Sequence, residues 1–221
     1  MSAIGNQLAT LREAIPSEVK LIAVSKTKPL EDIRAAYEAG QRHFGENYVQ
    51  EMVEKQPLLP SDIHWHFIGH LQSNKVKSIA SFVHCIHGLE SASLWKEIEK
   101  QAVNNQRTIP CLLQIHIAQE DSKFGLQSDQ IDSFLQENSP AFYPHAPIIG
   151  VMGMASFTEN KQQVKDEFRE LKKVFSHLKS TCFQNDAAFR EISMGMSGDW
   201  KSAVEEGSTM VRIGSSIFGN R

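Results

Sequence analysis

Short apolar runs alternate with longer amphipathic stretches along almost the whole chain of 221 residues. The runs at 19–25, 42–45, 64–68, 82–87, 111–117, 147–152, 190–194 and 210–213 read as buried strands. Helical periodicity follows most of them, most clearly at 30–39, 46–56, 91–104, 127–137 and 159–179, and more weakly at 73–80 and 199–206. Ahead of the first run, Ile4, Leu8, Leu11 and Ile15 recur at helical spacing before Pro16, which predicts an amphipathic helix within 1–16 that packs on the body. Alternation at this density is the pattern of parallel βα units, and eight strand candidates predict a closed (β/α)8 barrel of the TIM type, α/β in class. An open doubly wound sheet that bound a dinucleotide would carry Gly-x-Gly-x-x-Gly after its first strand. Ser25-Lys26-Thr27-Lys28-Pro29 stands there instead. No linker, repeat or low-complexity stretch interrupts the pattern, so 1–221 is read as one domain.

Strand parity adds a direction. Ile22, Val24 and Lys26 share one face of the first strand, and Leu21, Ala23 and Ser25 the other. Bulky branched residues dominate barrel interiors, which points the Ile22/Val24/Lys26 face inward. An amine at the mouth of a buried strand is costly unless it has work to do. Chemistry that needs a neutral, nucleophilic amine uses such lysines, because desolvation and nearby cations lower the pKa from about 10.4. The competing reading is a lysine that reaches back to water.

Composition narrows the function classes. Apolar residues make up 41% of the chain, enough for a full core, and the net charge of −3 gives no drive toward nucleic acid or an anionic membrane. The three cysteines, Cys85, Cys111 and Cys182, are widely spaced without Cys-x-x-Cys. They suit reduced thiols in a cytoplasm rather than a disulfide framework or a zinc site. No apolar stretch reaches the roughly 18 residues of a membrane-spanning helix, and no signal peptide is read at the N-terminus.

Polar and glycine residues gather just after the strand runs: Lys26, Gly45-Glu46-Asn47, Gly69 to Lys75, Gly195-Met196-Ser197-Gly198-Asp199, and Gly214-Ser215-Ser216. In a barrel these positions converge on the C-terminal face, where active sites lie and where the turns after strands seven and eight often hold phosphate. Gly214 permits close backbone approach, and Ser197 and Ser215 add hydroxyl and N–H donors. Ordinary turn chemistry would use the same residues. Arg212 interrupts an apolar run and needs a partner, either a carboxylate such as Glu191 or a ligand. His64, His66 and His70 invite a metal reading, but strand alternation explains His-x-His equally well and no third ligand is evident. No metal is therefore expected. Gly195 to Asp199 departs from a nucleophile elbow because Asp199 takes the place of the last glycine. Lys20, Lys75 and Lys77 read as solvated surface, and the helix at 159–179 as an ordinary outer helix.

Five segments together carry a resemblance. Ala23-Val24-Ser25-Lys26-Thr27, His43-Phe44-Gly45-Glu46-Asn47, Trp65 to Gly69 with Leu71-Gln72-Ser73-Asn74-Lys75, Ser193 to Asp199, and Gly207 to Gly214 follow in family order across nearly the whole chain. The chain resembles the pyridoxal phosphate homeostasis proteins. The resemblance implies a barrel similar to the N-terminal domain of alanine racemase. It implies that Lys26 forms an internal aldimine with pyridoxal 5′-phosphate, that Arg212 lies near the pyridine nitrogen, and that Ser197, Gly214 and Ser215 hold the phosphate. Asn47 matches a cofactor-side asparagine, and His66 lies in a family motif without an assigned contact. The segment before the first strand is shorter than is usual in the family.

The related racemases add a C-terminal β domain that brings a tyrosine acid/base to the cofactor. The sequence given ends at Arg221, and from this a non-catalytic, cytoplasmic, monomeric holder of the cofactor is expected. It would limit the free aldehyde and supply apo-enzymes, with no nucleic acid or membrane partner. The alternative is a weak pyridoxal-phosphate-dependent amino-acid racemase or decarboxylase, with Tyr48 and His66 as nominal bases. A third reading is a regulatory module that reports cofactor state to a partner protein.

Overall fold

The structure is a computed structural model that describes residues 2–120 and 124–219. Eight parallel strands pair in sequence order and close on themselves: β1 (Lys20–Val24), β2 (His43–Glu46), β3 (His64–Phe67), β4 (Cys85–Leu89), β5 (Cys111–Gln114), β6 (Ile148–Met152), β7 (Glu191–Ser193) and β8 (Met210–Ile213). The closing seam joins Lys20 to Met210 and runs up to Ala23 opposite Ile213. Helices α1 (Ala3–Ala14), α2 (Leu30–Glu38), α3 (Val49–Lys55), α4 (Val76–Ile79), α5 (Ala92–Asn104), α6 (Ile131–Glu137), α7 (Lys161–Ser180), α8 (Trp200–Glu205) and α9 (Ser215–Phe218) accompany the strands. The predicted barrel is thus present, and none of the described helices is long and apolar enough to cross a membrane.

Two apolar layers form because strand residues alternate in direction. The larger lies between strands and helices and buries Phe44, Trp65, Phe67, Trp95, Phe168 and Phe189 completely. The smaller fills the barrel with Ile22, Cys85, Leu112, Met152 and Met210. Ile22 lies inside while Leu21 and Ala23 lie outside, as the parity of β1 predicts. Burying Val164, Phe168, Leu171, Val174 and Leu178, α7 presents one apolar stripe to the sheet, the pattern of an outer helix. Ser2 caps α1, its hydroxyl accepting the Gly5 N–H at 3.1 Å. Arg12 then ties that helix to the next unit, donating to Ala39 O at 2.6 Å and Gln41 Oε1 at 3.1 Å.

Boundaries differ from the apolar pattern where tertiary partners decide them. The helix predicted from 46 begins at Val49, because Glu46 belongs to β2, opposite Phe67. The strand predicted at 82–87 is Cys85–Leu89. It extends through Gly88, where a Cβ would stand 2.8 Å from Gly69 O. The strand predicted at 111–117 ends at Gln114, after which Ile115 makes only an isolated bridge to Leu126. The short α9 carries no amphipathic signal and was not predicted.

Candidate functional site

Lys26 stands one residue beyond Ser25 at the C-terminal end of β1, half-buried. The turn it sits on is unusual: Thr27 has φ +63°, in the left-handed region that a β-branched residue rarely occupies. A buried charge network holds that conformation. Lys55, on the inner face of α3, donates to Ser25 O at 2.8 Å, to Glu46 Oε1 at 2.9 Å and to Glu51 Oε1 at 2.6 Å. Glu46 also accepts the Ser25 hydroxyl at 2.7 Å, and Glu51 accepts the Thr27 N–H at 2.5 Å. The residues on both sides of Lys26 are therefore fixed to β2 and α3. Burial raises the Glu46 carboxyl above its ordinary range, and Lys55 pulls it back. Sequence reasoning missed this network. Its only local trace is the i, i+4 spacing of Glu51 and Lys55.

Lys26 lines a pocket of about 270 Å³ with Val24, Thr27, Lys28, Gly214, Ser215 and Gly219. The β1–β8 seam thus brings together three of the residues singled out from sequence. A side chain at 214 would press on the pocket wall, since its Cβ would lie 3.2 Å from Val24 O and 3.3 Å from Val24 Cβ. Ser197 joins from the neighbouring turn, its Oγ accepting the Gly214 N–H at 3.2 Å. The turn that carries Ser197 is set by Gly195 at φ +93°, whose Cβ would be 2.6 Å from Ala203 Cβ. It is closed by Asp199 Oδ1, which accepts the Met196 N–H at 2.5 Å and leads into α8.

Arg212 lies inside the barrel, 4% exposed, and its partner is not Glu191. It donates to Ser193 Oγ at 2.6 Å and to Gly153 O at 3.1 Å. Glu191 sits a strand step lower, paired with Lys20 at 3.6 Å and accepting the Thr209 hydroxyl at 2.7 Å. Burial lowers the Arg212 pKa to about 10, with Asp199 opposing, so the guanidinium keeps its charge at neutral pH. Its hydrogen-bond acceptors here are neutral, a costly arrangement that favours an electron-rich ligand atom nearby. Asn47 follows β2 and lines a different cleft, with Tyr48, His70, Gln72 and Lys75. Its Oδ1 is buried and has no hydrogen-bond partner among the described residues. Close packing of β2 on β3 fixes it there: a Cβ at Gly69 would be 2.4 Å from Asn47 O.

Below Arg212 a line of hydrogen bonds descends through the barrel. Ser193 Oγ lies 3.0 Å from His87 Nδ1, His87 Nε2 lies 2.9 Å from His66 Nδ1, and His66 Nε2 lies 2.9 Å from His43 Nδ1. His66 and His87 are fully buried, and burial drives both well below the ordinary histidine range. The three histidines read together from sequence are separated: His64 is exposed at the N-terminal mouth, His66 is interior, and His70 pairs with Glu90 at 2.7 Å near the opposite end. His43 and His84 join His66 instead, because the parallel register sets His43 beside His64 and His66 beside Cys85.

The profile of the alanine racemase N-terminal domain family matches residues 1–221. The pyridoxal phosphate homeostasis protein of Pasteurella multocida is 41% identical over 210 residues, covering 93% of this chain and 88% of that protein. Its counterpart in Escherichia coli K12 is 36% identical over 235 residues, covering 100% and 98%. PipY of Synechococcus elongatus, solved without pyridoxal phosphate, superposes with a TM-score of 0.91 at 35% identity over 98% of this chain and 100% of that one. With pyridoxal phosphate bound, PipY superposes at 0.86. Alanine racemase of Bartonella henselae shares the fold at 19% identity and a TM-score of 0.74, this chain spanning 58% of that one. Identity and coverage of this order, over a barrel whose seam joins Lys26 to Gly214, establish that the chain belongs to the pyridoxal phosphate homeostasis protein family, within the alanine racemase N-terminal domain fold.

Proposed function

We infer that this protein binds pyridoxal 5′-phosphate at Lys26 and holds it for exchange with apo-enzymes rather than turning over a substrate. The observation that carries the reading is the shared pocket of Lys26, Gly214 and Ser215, in a chain whose relatives are named for homeostasis of that cofactor. When bound, the cofactor supplies an aldehyde that condenses with a primary amine.

The chain's own residues suit that guest. Lys26 offers the amine on a backbone that Lys55, Glu46 and Glu51 keep in place. Gly214 and Ser215 open α9, where helix-initial N–H groups lack intrahelical acceptors and favour a phosphate, and the Ser197 hydroxyl adjoins them. Arg212 is a donor only, and as a cation beside a ring nitrogen it disfavours protonation of that nitrogen. A ring nitrogen left unprotonated is a poor electron sink, which suits storage over turnover. Among the described lining residues of the Lys26 pocket, the ionisable groups are Lys26 and Lys28. Lys28 Nζ donates to Phe218 O at 3.1 Å and Gly219 O at 3.0 Å. Tyr48 stands 56% exposed at the head of α3, and His66 is enclosed among other histidines, so neither is placed as the second base of a racemase. Free cysteines support a reducing, cytoplasmic setting, and we read residues 1–221 as a single domain acting as a monomer.

The test is an absorbance titration with pyridoxal phosphate, then borohydride reduction and peptide mapping. Label on Lys26, lost in Lys26→Ala without loss of the fold, is the expected result. Label on Lys28 instead overturns the assignment, and turnover of free L-alanine to the D form overturns the storage role.

A further inference from the structure

At the N-terminal mouth of the barrel, opposite the Lys26 pocket, four imidazoles crowd together. His43, His66 and His84 each place one ring nitrogen within 4.8 Å of the others. Their ring centroids lie 5.2 Å (His43–His66), 5.1 Å (His66–His84) and 5.8 Å (His43–His84) apart. The rings are steeply inclined, at 51°, 62° and 68°. Three imidazoles on one tetrahedral ion, with metal–nitrogen bonds of about 2.0–2.1 Å, hold their centroids about 5 Å apart, so the spacing already matches. His64 differs. It stacks flat on His43 at 4.7 Å and 22° and leans on His84 at 4.4 Å, as a wall rather than a fourth apex.

We propose that His43, His66 and His84 form a binding site for a first-row transition-metal dication such as Zn²⁺, with the fourth position open to solvent past His64. The donor chemistry selects the ion. All three donors are imidazole nitrogens, which suit zinc, nickel and copper and not the oxygen-seeking magnesium or calcium. His43 and His84 are half-buried and His64 is exposed, which leaves an entry path. Lys20 is the opposing feature: it faces the cluster as a cation, though Glu191 pairs with it at 3.6 Å.

The ligand His66 comes with an outer partner. Its Nδ1 lies 2.9 Å from His87 Nε2, the second bond that orients most metal-bound histidines. With His66 Nε2 given to the ion in place of its hydrogen bond with His43 Nδ1, Nδ1–H donates to His87 Nε2, and His87 Nδ1–H donates to Ser193 Oγ. Metal-free, the opposite polarity is also open, with the Ser193 hydroxyl donating to His87. Occupancy at the lower mouth therefore selects one of two proton arrangements in the line that ends on Arg212. No proton leaves the line in that choice.

The experiment uses the untagged full-length protein, titrated with Zn²⁺ by calorimetry and with Co²⁺ by visible absorbance. One ion per chain and an intense tetrahedral cobalt band are expected. Outer-sphere partners alone are worth about 10–100-fold in affinity, so His84→Asn, which removes a ligand, should weaken Zn²⁺ by at least about 100-fold. Replacing the distant His145 by Asn should change nothing. Lys20→Gln should tighten binding by roughly three- to tenfold. If His84→Asn does not fold, the wild-type chain still decides the matter through histidine acylation mapped by mass spectrometry. Zn²⁺ should protect His43 and His84 and leave His145 reactive. Absence of a one-to-one event, Zn²⁺ binding retained in folded His84→Asn, or labelling of His43 and His84 unchanged by Zn²⁺ would each overturn the site.

Discussion

The two mouths of this barrel solve opposite problems with the same strand alternation. At the C-terminal mouth the layer between strands and helices is ionic: buried Glu46 and Lys55, with the partly exposed Glu51, brace the backbone around Lys26. At the N-terminal mouth the interior is lined by imidazoles that hold one another by hydrogen bonds and stacking, beside the Lys20–Glu191 pair, and burial keeps His43 and His66 neutral. Ionic bracing fixes one geometry, because a misplaced charge in a buried site is expensive. A chain of neutral imidazoles is symmetric in donors and acceptors and tolerates two arrangements. The upper mouth is thus built to hold a side chain still, and the lower one to respond.

The sharpest way to break the comparison is Lys55→Met. It strands Glu46, and unfolding free energy should fall by about 3–5 kcal/mol at pH 7, read by denaturant titration. The pH dependence has a definite sign. Burial already raises Glu46 above 4.5, and losing Lys55 raises it further. A carboxyl with a raised folded-state pKa takes its proton first in the folded state. The penalty is therefore full above that pKa and shrinks as pH falls through it toward 4.5. A deficit as large at pH 5 as at pH 8 would show that packing, not charge, is lost.

Next in size, Gly69→Ala drives a Cβ into the backbone at Asn47 and should cost about 1–3 kcal/mol in the same titration, since no flexible side chain is available to yield. His87→Leu cuts the line between the mouths and leaves His66 Nδ1 and Ser193 Oγ short of a partner. A loss of about 1–3 kcal/mol is expected, together with a shift in cofactor affinity that His145→Leu does not share. The smallest effect belongs to Thr27→Gly, which relieves the left-handed residue but frees the unfolded chain. A gain of about 0.5 kcal/mol by thermal melting is expected.

The barrel was legible because each strand is a short apolar run and each outer helix a stripe, patterns set by local spacing. That Lys26, Gly214 and Ser215 meet at one pocket was legible for a related reason: each directly follows a run, and closed topology brings run ends to one mouth. What escaped depends on register. Glu46 continues an amphipathic helix on paper, and only its place opposite Phe67 and beneath Lys55 makes it a strand residue. From sequence Arg212 is open to a carboxylate such as Glu191 or to a ligand. Stagger instead sets Ser193 level with Met210 and lowers Glu191 to Lys20. The histidines at 43, 66 and 84 share no sequence window, so nothing local signals that they meet.

The closing seam has a kinetic consequence. Most strand pairs here join neighbours in sequence, whereas β1 and β8 join residues about 190 positions apart, as Lys20 with Met210. Closing so long a loop is entropically demanding, so this seam is expected to form late and to open early. A ligand held between Lys26 and Gly214 ties the two sides of that seam together. Its departure would register first as faster amide exchange along β1 and β8, while the remaining strands stay closed.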